Sequence, residues 1–193
     1  MIRAIDDNIW TVVGPDVVFA GATMHTRMTV VRLSSGQLWV HSPIAWSDEV
    51  ERFVDGQGGD VVALVAPNKF HYLYLDVWRE HHPEAVVFAE ADLKKKVPAL
   101  QEAEDLDQTP PALWSDDIDQ LVIDGHRLFQ EAVFFHRPSR SLIFTDLFIN
   151  LRLDQVNMLA GWFLKFEGVV FPNGGLPRLY RWLTSDKDKA EKP

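Results

Sequence analysis

The sequence predicts an α/β fold of the α+β type, in which mixed β-sheets are flanked by helices, and three observations carry that expectation. The first forty residues alternate short β-rich runs with turn residues. Residues 61–89 then read strand–helix–strand, opened by the uninterrupted apolar run VVALVA, which marks a strand covered on both faces. Beyond residue 118 strands return, and two of them flank the tight turn Arg137-Pro138-Ser139-Arg140.

The elements follow in order. Residues 8–13 form a strand that stops at Gly14-Pro15, and residues 17–20 form a second. Residues 28–33 and 37–41 flank Ser34-Ser35-Gly36 as a hairpin. Ser47 offers an N-cap, with Asp48 and Glu49 in the first turn, for a helix to about Val54. Residues 61–66 are the buried strand, 73–81 a helix that Pro83 ends, and 85–89 another short strand, a unit suited to parallel pairing. A short helix over 90–100 carries Lys94-Lys95-Lys96, which a solvated helix end explains. Residues 101–115 are acidic, contain Pro110-Pro111 and read as a surface loop. Strands resume at 118–123, 131–136 and 141–146. Helical spacing covers 150–166, a Gly/Pro-rich stretch 168–177, and a short helix 179–183.

Composition narrows the function classes. With 193 residues, 47 % of them hydrophobic, the chain suits one compact domain with a sizeable core. A net charge of −9 and the lack of a Lys/Arg stripe argue against nucleic acid as a partner. The absence of cysteine excludes disulfides, thiolate metal sites and a cysteine nucleophile. The start MIRAIDDNIW has acids where a signal peptide needs basic residues, and no run approaches the roughly 18 apolar residues of a membrane span. The expected location is cytoplasmic, with a small-molecule ligand rather than a membrane or nucleic acid as partner.

Several phrases resemble the metallo-β-lactamase-like superfamily. QLWVHSP at residues 37–43 resembles the strand that usually ends in Asp-Thr-Gly, and residues 67–73 resemble the metal-binding turn His-x-His-x-Asp-His. Asp124-Gly125-His126 resembles the Gly-His loop, and SLIFTDLF at 141–148 the strand whose aspartate bridges two metals, which places Asp146 there. HSPI at 41–44, APNKFH at 66–71 and EAVFFHRPSRSLIFTDLFIN at 131–150 resemble more closely a branch of unknown function, DUF4336. The resemblance covers roughly residues 5 to 183. It implies an αββα sandwich in a single domain over 1–193. It also implies a degenerate metal site, because the usual ligand positions map to Asn68, Phe70, Tyr72 and Leu73. The closing strand and His-Gly pair of the superfamily have no counterpart before Pro193.

What remains near the strand ends is His41, Asn68, His71, His126 and Asp146. As metal ligands, His41, His71, His126 and Asp146 supply three imidazoles and a carboxylate, chemically adequate for one divalent zinc, manganese or iron. His71 and Asp146 are then the catalytic candidates, and Lys69 with Asn68 an anion-binding or pocket pair. Each residue also has a structural reading. His41 can bond a neighbouring loop, Asn68 after Pro67 can cap a helix, and His126 can be an exposed loop residue. Asp146 can pair with Lys69, Arg137 or Arg140. Alternation puts Glu131 and His136 on opposite faces, which argues against a pair. His81-His82 suit the negative end of a helix dipole. Ser42, Ser139 and Ser141 lack a nucleophile-elbow motif, and Pro172-Asn173-Gly174-Gly175 carries turn chemistry only. The aromatic set Trp162, Phe163, Phe166, Phe171, Tyr180 and Trp182 reads as core or a homodimer face.

Three functions compete at this level. The favoured one is a small-molecule binding protein or non-catalytic relic holding no cofactor. The alternative is a metal-dependent hydrolase of an ester, lactone or thioester, with one divalent metal polarising the carbonyl and supplying hydroxide. The third is a stable domain whose pocket is filled by aromatic side chains.

Overall fold

The computed structural model describes residues 1–19, 22–124, 130–151, 153 and 158–183. Strands β1 (Ile2–Asp6), β2 (Ile9–Phe19), β3 (Ala22–Arg32) and β4 (Leu38–His41) form an antiparallel meander. Helix α1 (Asp48–Asp55) returns the chain so that β5 (Val61–Ala66) lies parallel to β4. Helix α2 (Leu75–His81) does the same for β6 (Val86–Ala89). Helix α3 (Ala91–Lys96) and a single 3₁₀ turn lead to the short β7 (Glu104–Asp105), also parallel. These seven strands form one sheet in sequence order. A second, antiparallel sheet has β9 (Glu131–His136) between β8 (Ile118–Ile123) and β10 (Ser141–Ile143). Helices α4 (Met158–Glu167) and α5 (Arg178–Leu183) follow, beside short bridges at Ile149–Gly175 and Leu151–Val170.

The period-2 alternation of β4 and β5 builds two cores from one pair of strands. Leu38, Val40, Leu64 and Ala66 face the helices, with Val50, Val54, Leu75, Trp78 and Leu93. Trp39, Ala63 and Val65 face the second sheet, with Trp114, Ile118, Ala132 and Phe134. The run 61–66 is apolar throughout because it is covered from both sides. Trp39, Trp78 and Trp114 are fully buried, and truncating one of them to alanine costs about 3–5 kcal/mol. The two sheets are also stitched directly, where the Ala132 N–H donates to the Pro67 carbonyl at 2.9 Å.

Local differences from the sequence reading have physical causes. Gly14-Pro15 does not stop a strand. β2 passes through it with a bulge between Val13 and Asp16, where proline's missing N–H is tolerated. Glycine is required there, since a Cβ on Gly14 would come within 2.5 Å of the Thr26 hydroxyl and 2.8 Å of Ile44 Cβ. β1 escaped notice because all five of its residues are exposed and carry no buried face. Ser47 caps α1 as expected, its hydroxyl accepting from the Val50 N–H at 3.3 Å. α2 begins at Leu75, after a run of turns over 69–74. β10 ends at Ile143 rather than 146, because the next amides bond a side chain instead of a strand. His81 stacks on Trp46 at 4.0 Å, and burial holds His82, the C-cap residue of α2, below its usual pKa, so His82 is not the cationic cap expected of it.

Candidate functional site

The ends of β4 and β5, the turns after β5 and the loop after β10 meet at one edge of the sandwich. Asn68 is the hub. Its carbonyl oxygen accepts from the Phe70 N–H (2.9 Å) and the His71 N–H (3.3 Å), the capping pattern expected of it, closing a turn rather than opening a helix. Its amide donates to Asp146 Oδ2 and to Thr145 Oγ1, both at 2.9 Å. The fully buried Asn68 therefore fixes the positions of His71 and Asp146 together.

Glu131, at the start of β9 and 1 % exposed, anchors the loop that carries Asp146. Its carboxylate accepts from the backbone N–H groups of Thr145 (2.6 Å), Asp146 (2.9 Å) and Leu147 (3.0 Å). Burial pushes the Glu131 pKa up and the nearby Asp146 charge adds to this, while the amide hydrogen bonds pull it back. These are the amides that would otherwise have extended β10.

On this frame sits a row of three groups. The Ser42 hydroxyl lies 2.6 Å from His71 Nδ1, and His71 Nε2 lies 3.3 Å from Asp146 Oδ2. The Asp146 carboxylate facing Nε2 favours the tautomer that carries its proton on that nitrogen. Nδ1 is then left to accept from the Ser42 hydroxyl. Ser42 immediately follows β4 and has a φ of 53°, the left-handed region that few non-glycine residues occupy. Its N–H donates to the Val65 carbonyl at 2.9 Å, which pins the strained backbone to β5. Asp146 is thus held by His71 and Asn68, and Arg137, one of three cations expected for it, pairs with Asp119 at 2.6 Å instead.

The row opens on a cavity of about 320 Å³ whose lining includes Ser42, His71, Asp146, Phe70, Tyr72, Tyr74 and Tyr180. Arg27 and His25 lie at its rim, with His25 bonded to Asp16. Tyr180 was expected in the core or a homodimer face. It is a wall of the cavity, and burial, then the Asp146 and Glu131 charges, push its phenol up to about 12. Of the other aromatic residues expected as core or a homodimer face, Trp162, Phe163, Phe166 and Phe171 are exposed rather than core, and the Trp182 side chain lies outside the described residues. A larger groove of about 730 Å³ lies near α2, lined by Asp76, Arg79, Glu80, Glu102 and Glu104, remote from the row.

The three described metal-ligand candidates, His41, His71 and Asp146, do not assemble into one group. Among the described residues, no three His, Cys, Asp or Glu side chains come together as a metal group. His41 turns into the space between the sheets, stacked on Trp39 at 5.5 Å and edge-on to Phe134 at 5.5 Å. Burial, with His71 nearby, drives its pKa down to about 3, so it is neutral, and its Nε2 is buried with no hydrogen-bond partner among the described residues. Both ring nitrogens of His71 are engaged by Ser42 and Asp146, and Asn68 turns N–H donors, not a ligand oxygen, toward Asp146. His126 lies outside the described residues. The described donor set does not fit a metal ion. Lys69 lies 5.5 Å from the Phe70 ring centre, on the turn beside the cavity.

Of the residues gathered at this edge, the sequence singled out His71, Asp146 and Asn68, while it set Ser42 aside for want of an elbow motif, Glu131 as an unlikely partner of His136, and Tyr180 among the packing aromatics. The available signals were weak: a serine wedged between a strand and Pro43, and an acid opening the apolar run EAVFF.

Comparison with known proteins places the scaffold. A metallo-β-lactamase named DIM-1, in a structure exposed to ceftazidime, matches 99 % of this chain and 96 % of its own, with a TM-score of 0.61 and 15 % identity. The enzyme from Hirschia baltica matches 96 % and 95 % at 0.60 and 13 %. The one from Pontibacter korlensis matches 95 % and 96 % at 0.60 and 10 %. At these identities the likeness concerns the fold alone. No curated protein matched the chain. The sequence model of a domain of unknown function, DUF4336, matches residues 6–165, and the chain belongs to that family, built on a metallo-β-lactamase-like fold.

Proposed function

We propose that the protein binds a small molecule in the cavity at the Ser42–His71–Asp146 edge, on a scaffold whose metal site has degenerated. The observation that carries this reading is the cavity itself. Its volume of about 320 Å³ sits at the low end of the roughly 300–1,000 Å³ typical of ligand sites. Its lining mixes apolar side chains (Val17, Met24, Leu73, Ile149) and aromatic ones (Phe70, Tyr72) with the polar groups of Ser42, His71 and Asp146. That mixture suits a metabolite-sized ligand with an apolar body and a polar head. The alternative, a divalent zinc, manganese or iron centre acting on an ester, lactone or thioester, draws support from the fold but from no donor set among the described residues.

Two measurements test the reading. Metal analysis of purified untagged protein should find zinc, manganese and iron well below one equivalent. A stoichiometric metal whose removal by chelator lowers stability would overturn the metal-poor reading. Butyranilide, an apolar amide with one carbonyl, should bind by ligand-detected NMR. Leu73→Asp, at a cavity residue that is 60 % exposed and tolerant of charge, should weaken that binding about tenfold. Equal binding to both proteins would place the ligand elsewhere.

A further inference from the structure

We infer that Ser42, His71 and Asp146 form a metal-free nucleophilic triad that transfers the acyl group of a small apolar ester or thioester onto Ser42. This rests on the cavity being a ligand site, and it names the chemistry of that site.

Three observations carry it. The first is the row itself: a hydroxyl 2.6 Å from one imidazole nitrogen, with a carboxylate 3.3 Å from the other. Nucleophile, base and orienting acid are thus in the order acyl transfer requires, recognised by geometry and role rather than by motif. The ring nitrogens exchange the places they hold in the chymotrypsin-type arrangement: Nδ1 faces the serine and Nε2 the aspartate. The second is the backbone of Ser42. A non-glycine residue at φ 53° immediately after a parallel strand is held in a strained conformation. The hydrogen bond from its N–H to Val65 holds that conformation, which directs the hydroxyl to His71. It shares with a nucleophile elbow the strand end and the left-handed angle but not the helix, which begins only at Asp48. The third is support: Asn68 and Glu131 hold His71 and Asp146 through part-buried hydrogen bonds, and the row lines the cavity.

In the proposed reaction, Ser42 Oγ attacks the carbonyl carbon as His71 Nδ1 takes its proton. The resulting imidazolium, stabilised by Asp146, gives that proton to the departing alkoxide or thiolate, leaving an ester on Ser42. A water molecule, deprotonated by His71, then attacks the ester. The carboxylic acid departs and the proton returns to Ser42. Every proton passes through Nδ1, and no metal or redox partner takes part.

One local feature limits the rate. The N–H that usually stabilises the oxyanion belongs to the residue after the nucleophile, and here that residue is Pro43, which has none. Loss of one such donor costs about 10²–10³ in turnover. Activated acyl donors should therefore react well and unactivated esters slowly.

The test uses a fluorophosphonate, whose phosphorus is attacked by an activated serine with loss of fluoride. Wild-type protein should gain one adduct, mapped to Ser42 by peptide mass and unaffected by EDTA. Ser42→Ala should abolish it, and His71→Gln should slow it by about a hundredfold or more. Asp146→Asn should also slow it. Because the chain has no cysteine, Ser42→Cys gives a second and independent reading. Its single thiol should react with iodoacetamide at neutral pH about tenfold faster than free cysteine, an advantage lost in the double variant with His71→Gln. No adduct at Ser42, or a Ser42→Cys thiol no faster than free cysteine, would overturn the triad. The pocket is scored separately, by butyranilide binding to the wild-type protein. Binding without acylation of the wild type sinks the triad and leaves the ligand site standing, and absence of both sinks the two together.

Discussion

The molecule contains the same short contact twice. Ser42 lies 2.6 Å from Nδ1 of His71, and Ser139 lies 2.6 Å from Nδ1 of His136. Distance alone therefore says nothing about chemistry. Around His71 the far nitrogen meets the Asp146 carboxylate, the serine is held at positive φ, and the pair opens on a cavity. His136 is 1 % exposed beneath the β9–β10 hairpin, and burial lowers its pKa while Asp117 and Asp6 act on it only at a distance. Ser139 passes its own hydrogen bond on to Ser141 at 2.9 Å. One pair is arranged to move a proton to a ligand, the other to satisfy a buried imidazole under a turn.

The largest expected effect breaks or keeps that contrast directly. His71→Ala should cut fluorophosphonate labelling at Ser42 by about 10³-fold, within the range attributed to a positioned general base. His136→Ala should leave the labelling rate at Ser42 unchanged while lowering thermal stability. Ser139→Ala should cost about 1 kcal/mol of stability, the worth of one net hydrogen bond, and nothing in labelling. Rate measurements on the three variants under one set of conditions decide it. Comparable losses from His71 and His136 would mean that the two pairs are both structural.

The support beneath the reactive pair gives the next effect. Glu131→Ala removes the acceptor of three backbone N–H groups and strands them near the core. The expected loss is about 3 kcal/mol, which in a chain of this size lowers the melting temperature by about 6–12 °C. Because the freed loop carries Asp146, labelling of Ser42 should fall as well. Glu131→Gln, which keeps one acceptor oxygen, should recover part of both. A stability loss with full labelling would show that the loop holds Asp146 by other means.

Much of the scaffold was legible in the sequence, and the reason is periodicity. The run 61–66 announced a strand covered on both faces, Ser47 announced a helix start, and the Arg137-Pro138-Ser139-Arg140 turn announced a hairpin. Asn68 was legible as an acceptor for the amides just after it, because that pattern is local, though the helix it was expected to open begins only at Leu75. The reactive row was not, because it joins positions 29 and 75 residues apart through strand register and a backbone angle. Nothing in HSPI shows that Ser42 is left-handed, and nothing in EAVFF shows that Glu131 will collect the amides of a loop fourteen residues on. The three histidines and the aspartate suggested metal by residue type. Geometry separates them: His41 belongs to the aromatic core, His71 and Asp146 to the serine, and His126 lies beyond the described residues.

His41 supplies an effect of pH alone, which sharpens the division between core and site. Its pKa is about 3 when folded and 6.5 by its ordinary value, the folded state keeping it neutral. Above pH 6.5 neither state binds its proton, and it contributes no pH dependence. As the pH falls below 6.5 the unfolded chain takes up a proton that the folded one refuses, so stability declines toward pH 3. At pH 5 the loss from this one group is about 2 kcal/mol. His41→Phe keeps the aromatic contacts with Trp39 and Phe134 and removes the unpartnered Nε2. Denaturant midpoints at pH 7.5 and pH 5 should therefore converge in the variant and diverge in the wild type, with labelling of Ser42 preserved. If His41→Phe instead abolished a bound metal or the labelling, His41 would belong to the site, and the line drawn between the aromatic core and the reactive row would fall.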